Sequence, residues 1–120
     1  MNYLIAIYGN EETWRSVPPE VAAELVRDTD AQHRDLHASG EFVGAYGLAD
    51  QVRSKVVKVR DGAPAVTDGP YIEAKEHLAS FTLVDCESEE RALEIAAGNP
   101  AARFSQVEVR PILHEAGVEM

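Results

Sequence analysis

The sequence contains one cysteine, Cys86, among 120 residues. A single cysteine excludes an intrachain disulfide, so the fold is stabilised by its packed core and not by disulfide cross-links. The chain also lacks an apolar run of the roughly 18 residues that cross a bilayer. Its first residues carry no basic segment of the kind that begins a secretory signal. These absences predict a cytoplasmic protein that does not span a membrane.

Basic residues are scarce. Eleven Lys and Arg stand against twenty-one Asp and Glu, which gives a formal net charge of −10. Nucleic-acid binding draws much of its affinity from Lys and Arg that neutralise phosphates, and no part of this sequence concentrates them. We therefore expect no nucleic-acid partner and no membrane partner.

Motifs that hold cofactors or activate nucleophiles are missing as well. The sequence has no glycine-rich phosphate loop, no nucleophile elbow and no paired His and Cys. Acidic neighbours on both sides of Cys86 make its thiol a poor nucleophile. Asp30, His33 and His37 have a spacing that suits a divalent metal, but their helix face is expected to be largely exposed, and no cysteine or fourth ligand lies near in the sequence. We predict neither a cofactor nor a resident metal.

The sequence does contain an ordered series of strand and helix patterns. A helix is predicted from about Pro19 to Ser39 and a second one from Ser88 to about Ala97, each with recognisable end signals. Residues 9–17, which include the single tryptophan, are expected to form a loop. Apolar, β-prone segments predict strands at residues 3–8, 42–48, 55–60, 63–67, 78–84 and 105–111.

This order approaches a βαββαβ pattern with an extra hairpin. We predict an α+β, ferredoxin-like fold in which two helices cover one face of an antiparallel sheet. Residues 1–113 form one domain and residues 114–120 a tail. The first helix presents an apolar stripe at helical spacing, which is expected to pack on the sheet. The second face of the sheet stays uncovered and partly apolar, which favours a homodimer joined sheet to sheet. The stripe is formed by Val21, Ala22, Leu25, Thr29, Gln32 and Leu36.

The most informative segment is TDGPYIEAKEHL, residues 67–78, where a tight turn rich in ionisable groups leads into an apolar strand. It resembles the signature of the DGPF family within the YCII-related superfamily, with Tyr71 in the place of Phe. The likeness continues at residues 3–9, 89–102 and 107–111, and so covers nearly all of the chain. The resemblance implies a dimeric α+β barrel. Genes for such proteins are often found beside those of alternative sigma factors.

The turn and the first helix supply the candidate site. Asp68 has the ordinary structural role of a turn aspartate, whose carboxylate accepts backbone N–H groups, and the alternative role of a general base. His33 lies at the edge of the apolar stripe and is either a boundary histidine or a proton carrier. The catalytic candidates are Asp68, Glu73 and His33, and the ligand-binding candidates are Tyr8, Tyr71, Lys75 and Glu76.

Two functions from different classes remain open. The first is a small-molecule enzyme of acid–base type with a cleft near the Asp68 loop. Dimeric α+β proteins such as muconolactone isomerases and small monooxygenases support it by analogy of fold alone. The alternative is a non-catalytic ligand-binding or regulatory module associated with sigma-factor signalling, which agrees with the missing nucleophile and cofactor motifs.

Overall fold

The computed structural model describes residues 1–70 and 75–117. Within these residues, two short 3-10 helices, Gln51–Arg53 and Pro100–Arg103, accompany six strands and three α-helices. The strands and α-helices, in chain order, are β1 (Asn2–Gly9), α1 (Glu11–Arg15), α2 (Pro19–Ser39), β2 (Phe42–Gly47), β3 (Lys55–Arg60), β4 (Ala63–Asp68), β5 (His77–Asp85), α3 (Glu89–Gly98) and β6 (Val107–Pro111).

Four strands form one antiparallel sheet in the order β2-β5-β1-β6. The most apolar strand, β1, lies inside the sheet, where Ile5 faces Thr82 on one side and Val109 on the other. This α+β architecture is compatible with the predicted ferredoxin-like order.

The core lies between this sheet and the helices. Alternate residues of a strand point to opposite faces, and the face of β1 that carries Tyr3 and Ile5 is covered by α2 and α3. Both side chains are at most 2% exposed, and burying residues of this size contributes about 1.5–3 kcal/mol each. The core cluster consists of Tyr3, Ile5, Leu36, Val84, Cys86, Ala92, Ile95 and Ala96.

The long helix α2 begins and ends where the sequence predicts. Pro19 occupies its first turn, where the missing N–H costs nothing. Gly40 ends it with φ of 80°, a left-handed conformation that glycine adopts without strain, and its N–H bonds the carbonyl of His37. Every residue of the predicted stripe is at least partly buried, and Leu36 is fully buried.

The prediction of a loop at residues 9–17 was wrong, because Glu11–Arg15 forms the short helix α1. Asn10 caps this helix, with its side-chain oxygen accepting the N–H of Thr13 at 2.6 Å. Acidic residues at the next two positions suit the positive end of the helix dipole. These start signals are present in the sequence, but a single turn of helix has too little periodicity to stand out.

The remaining two strands, β3 and β4, form a separate two-stranded sheet that we call the arm, residues 55–68. Its turn is the predicted Asp61-Gly62, and both residues have positive φ, 50° and 77°. The base of the arm is closed by a bond from the Gly69 N–H to the carbonyl of Ser54 at 2.8 Å.

The second face of the four-stranded sheet, which we call the open face, carries Leu4, Tyr46, Phe81 and Leu83 by alternation. The rings of Tyr46 and Phe81 pack with centroids 5.2 Å apart, and Tyr46 is 53% exposed. Among residues 1–70 and 75–117, no helix is both long and apolar enough to cross a membrane.

Candidate functional site

A cleft of about 500 Å³ opens where α2 meets one end of the sheet. Helix α2 contributes Thr29 and His33, which are four residues apart and therefore neighbours on one helix face. Strand β5 contributes Ser80 and Thr82 from the face that the helices cover. Asn99, which follows α3, also lines the cleft, so these polar side chains come from three separate parts of the chain.

Several polar groups of the cleft have no partner within the described protein. The side chains of Thr29, His33, Ser80 and Thr82 form no hydrogen bond with other described residues. No side-chain nitrogen or oxygen in the described residues is both buried and unpaired. These four side chains therefore keep contact with the solvent that fills the cleft, and their hydrogen-bonding capacity is available to a bound molecule.

Asn99 adds a fifth polar group. Its Oδ1 accepts the N–H of Ala101 at 2.9 Å, which caps the short helix that follows. The residue is only 5% exposed. This bond fixes the orientation of the amide, so that its NH₂ group is the part left for a ligand.

Apolar side chains form the rest of the lining. Ile7 comes from the central strand, Trp14 from α1 and Ala45 from β2. Trp14 also lines a second cavity of about 150 Å³, which it shares with Asp50 and His77. The indole therefore stands between two neighbouring cavities, and the larger one has the mixed apolar and polar lining that is typical of small-molecule sites.

Gly9 makes the position of Trp14 possible. A Cβ atom at residue 9 would lie 2.6 Å from Cζ2 of the Trp14 ring, far inside van der Waals contact. Only glycine lets the ring approach the end of β1 this closely. The last residue of the central strand is thus linked to the shape of the cleft.

The electrostatics of the cleft are simple. Among residues 1–70 and 75–117, none that lines the cleft is an Asp, Glu, Lys or Arg. His33 contributes the imidazole, and Tyr46 borders the cleft with its ring packed on Phe81 at the open face. The imidazole of His33 is half-buried and packs against Phe42, with ring centroids 5.2 Å apart and a tilt of 44°. Imidazole is the side chain best suited to exchange a proton near neutral pH.

Comparison with known proteins identifies the family. The family model of the YCII-related domain matches residues 1–116. The chain belongs to the YCII-related family. An uncharacterised protein of Rhizobium meliloti (strain 1021) is 29% identical over 114 residues, which cover 93% of this chain and 92% of that protein. The superfamily indicated by the DGPY turn is confirmed, and the narrower DGPF placement stays a prediction.

In this YCII-related chain, Asp68 lies at the end of the arm rather than in the lining of the cleft. Its carboxylate pairs with the ammonium of Lys55, and both side chains are more than 60% exposed. An exposed pair of this kind contributes little to stability. The contacts of the described residues therefore do not join Asp68 to His33.

Lys75 and Glu76, the two residues before β5, each accept one hydrogen bond from a distant part of the chain. The carbonyl of Lys75 accepts a bond from Nδ2 of Asn10 at 3.0 Å. The carboxylate of Glu76 accepts one from the hydroxyl of Ser105 at 3.3 Å. Both contacts hold residues 75 and 76 just before β5. The remaining turn candidates, Tyr71 and Glu73, lie outside the described residues.

Tyr8 takes part in a polar cluster on the sheet instead of lining the cleft. Its hydroxyl donates to Glu108 Oε1 at 3.0 Å, and this hydrogen bond raises the pKa of Tyr8. Arg110 donates to both oxygens of Glu108 at 3.0 Å and lowers the pKa of that carboxyl. The phenol of Tyr8 therefore hydrogen-bonds a carboxylate that also accepts two hydrogen bonds from the guanidinium of Arg110.

The sequence reasoning found one residue of the cleft as a site candidate, His33, and missed its polar neighbours. The helical pattern places Thr29 in the buried stripe, although its i, i+4 relation to His33 is a usable signal. Ser80 and Thr82 are polar side chains on the covered face of an otherwise apolar strand, and this pattern also marks a site. Among the described residues, no group of three or more His, Cys, Asp and Glu side chains is arranged to hold a metal ion.

Proposed function

We propose that this YCII-related protein binds a small organic molecule in the cleft beside His33 and that His33 is the group that exchanges a proton with it. One observation carries the proposal: the unpaired polar side chains of two elements, α2 and β5, meet in a single cleft of about 500 Å³ with apolar walls. Because these groups contact solvent instead of protein partners, their hydrogen bonds can be made to a bound molecule.

The chemistry of the lining favours a neutral ligand. In the part of the chain that the structure describes, no Lys or Arg lines the cleft to hold a carboxylate or phosphate, and no Asp or Glu lines it to hold an amine. The chain as a whole carries a charge of −10, which repels anions further. A neutral ring that bears hydroxyl or carbonyl groups matches the indole of Trp14 and the hydroxyls of Ser80 and Thr82.

Acid–base chemistry in this cleft assigns the central role to His33. A general base must reach the proton that it removes within hydrogen-bonding distance. His33 meets this requirement for a molecule in the cleft, while Asp68 pairs with Lys55 in the arm. In the proposal, the imidazole removes or delivers a proton on the bound molecule, and the hydroxyl and amide groups around it hold a polar atom of the same molecule.

A second candidate function is binding without catalysis. The specific observation in its favour is that, within residues 1–70 and 75–117, no carboxylate lines the cleft to orient the imidazole, since a catalytic histidine is usually held by a third group. In this case the protein would act as a ligand-responsive module, in line with the gene neighbourhoods that the family resemblance implies.

The protein also forms a homodimer in this proposal, with the open faces of two sheets packed together. The support is the exposed apolar surface of that face, where Val43 and Tyr46 are 56% and 53% exposed. Next to Val43, a groove of about 350 Å³ is lined by Leu83 and Ile112. Exposed apolar patches of this kind mark interaction sites. Sedimentation that gives the monomer mass at micromolar concentration would contradict the dimer.

Trp14 provides the test of ligand binding because it is the single tryptophan and lines the cleft. We would follow its fluorescence while titrating p-cresol as a neutral probe and 4-hydroxybenzoate as an anionic one. We expect saturable quenching by p-cresol with a Kd in roughly the millimolar range that suits a small fragment, and weaker binding of the anion. His33→Ala should weaken p-cresol binding, whereas His37→Ala, an exposed histidine on the same helix, should not.

The two candidate functions then separate by turnover. Once a tighter neutral ligand is found, His33→Gln should keep most of the binding and abolish conversion if the imidazole exchanges a proton. An unchanged ligand after prolonged incubation with wild-type protein would favour the binding module. The absence of saturable quenching by any neutral phenol or amide fragment, or equal effects of His33→Ala and His37→Ala, would refute the cleft as the site.

A further inference from the structure

The arm extends away from the rest of the protein. Every residue from 55 to 68 except Val56 is exposed, and the two strands pair with each other rather than with the four-stranded sheet. The radius of gyration is 16.6 Å, whereas a compact chain of this length has about 13.6 Å. An isolated two-stranded ribbon is marginally stable in water. An arm of this kind would therefore be stabilised by packing on another surface.

One side of the arm is apolar. Val57 lies opposite Val66 and Val59 lies opposite Pro64 in the register of β3 and β4. Because alternate residues share a face, these four side chains form a continuous patch, which we call the valine face. Its three valines are 61–65% exposed. A patch of β-branched side chains on an unpartnered ribbon is an interaction surface.

The charge of the arm indicates what it packs against. The arm holds three of the eleven basic residues and two of the twenty-one acidic ones, so it carries +1 and the rest of the chain −11. Lys58 and Arg60 alternate with the valines and therefore lie on the other side of the ribbon. The net charge of +1 attracts the arm to an acidic body at long range, and the valine face complements exposed apolar side chains. A second copy of this chain provides both the acidic body and the apolar side chains.

We propose that the arm of each copy clasps the second copy, with the valine face packed beside the exposed apolar side chains of the partner's open face. This inference rests on the homodimer proposed above and adds a second contact to it. In a two-fold dimer each contact is made twice, so both arms are covered at once. The clasp explains why an acidic protein places basic and apolar residues together on an exposed ribbon.

The test compares two variants in which exposed valines are replaced by serine, so that each substitution removes the same two methyl groups. Val57→Ser combined with Val66→Ser removes the centre of the valine face. Val26→Ser is the control, because Val26 on α2 is 61% exposed, the same as Val57. Sedimentation equilibrium from about 1 to 100 µM, the range in which moderate dimers dissociate, gives the dimer Kd, and circular dichroism verifies the fold of each variant.

We expect the arm variant to raise the dimer Kd at least about tenfold and the control to leave it within about twofold, since each side chain truncated at a two-fold interface weakens both symmetric halves. A wild-type dimer whose Kd is unchanged in the arm variant would overturn the clasp and leave the sheet-to-sheet dimer standing. An equal increase of Kd in the arm variant and the control would also overturn the clasp. A wild-type chain that is monomeric throughout would overturn both the clasp and the dimer, without bearing on the cleft.

Hydrogen exchange provides a second measurement that needs no substitution. If the arm packs on a partner, the amides of β3 and β4 become more protected as the wild-type concentration is raised from about 1 to 100 µM and the fraction of dimer increases. Amides of α2, away from the arm, serve as the internal reference. Arm amides that exchange at the same rate at both concentrations, in a sample shown to dimerise, would refute the clasp.

Discussion

The ion pair between Glu41 and Arg91 joins the start of β2 to α3. Its contribution to the free energy of unfolding can be measured from the dependence of stability on pH. Arg91 donates from Nε and from Nη2 to the two carboxylate oxygens, both at 2.8 Å, and Ser39 Oγ donates to Oε1 at 2.8 Å. The Glu41 side chain is 15% exposed. The hydrogen bonds from Arg91 lower the pKa of Glu41 from 4.5 to about 2.

The size of the effect follows from this pKa. Each unit of difference between the folded and unfolded states corresponds to about 1.4 kcal/mol, so the full shift sets an upper bound of about 3 kcal/mol. The Arg91 side chain is 34% exposed, and solvent screening reduces the benefit. We therefore expect Glu41→Gln to lower the free energy of unfolding by about 1–2 kcal/mol at pH 7.

The dependence on pH has a definite direction. The folded pKa of Glu41 is lowered, so the stabilisation is complete above the unfolded pKa near 4.5 and is lost as the pH falls toward 2. The gap between wild type and Glu41→Gln should shrink to about a quarter of its neutral value by pH 2.5. Comparing the two proteins at each pH cancels the protonation of all other carboxylates.

The assay is urea unfolding followed by circular dichroism at pH 7, 4.5 and 2.5. Glu94→Gln is the control, because Glu94 also contacts Arg91 but at 3.5 Å and with 68% of its side chain exposed; we expect less than about 0.5 kcal/mol. A gap for Glu41→Gln that is equally large at pH 2.5 and pH 7 would refute an electrostatic origin. If Glu41→Gln and Glu94→Gln lowered the free energy of unfolding equally, the shorter, less exposed contact of Glu41 with Arg91 would not be the source of the stabilisation.

Two further substitutions test the cleft wall and a helix cap. Gly9→Ala places a methyl group 2.6 Å from the Trp14 ring. It should lower the free energy of unfolding in urea by about 1–3 kcal/mol and shift the Trp14 emission. Gly47→Ala, with nothing within 4 Å of the new atom, should do neither, and equal effects of the two variants would contradict this packing. Ser88→Ala removes the hydroxyl that accepts the Arg91 N–H at 3.1 Å and should cost about 1 kcal/mol in the same assay, so an unchanged stability would show that the cap contributes nothing.

Much of the fold could be predicted because its signals are local. The proline at the start of α2, Gly40 at its end, the Asp61-Gly62 turn and the Ser88 cap are each read within a few residues. The short helix α1 was missed because one helical turn carries almost no periodic signal. The short segment that holds Trp14 therefore looked like a loop, although it forms part of the cleft wall.

The site was harder to predict because its residues are far apart in the sequence. The clustering of charge in the 67–78 segment drew attention to Asp68, which pairs with Lys55 in the exposed arm. The polar groups of the cleft come instead from α2, β5 and the residue after α3. Nothing in the spacing of Thr29, Ser80 and Asn99 shows that they meet, since pairing of strands and packing of a helix bring them together.

By itself, the sequence determined the strands, the two longer helices, the α+β class and the superfamily, because hydrophobic period, caps and turn residues act over short distances. Only the tertiary structure decided which polar side chains remain unpaired and where the arm points. Both depend on which surfaces are left uncovered once α2 and α3 have packed on the sheet. Burial is a property of the packed chain as a whole, and for this reason His33 came to line a cleft while Asp68 came to lie in solvent.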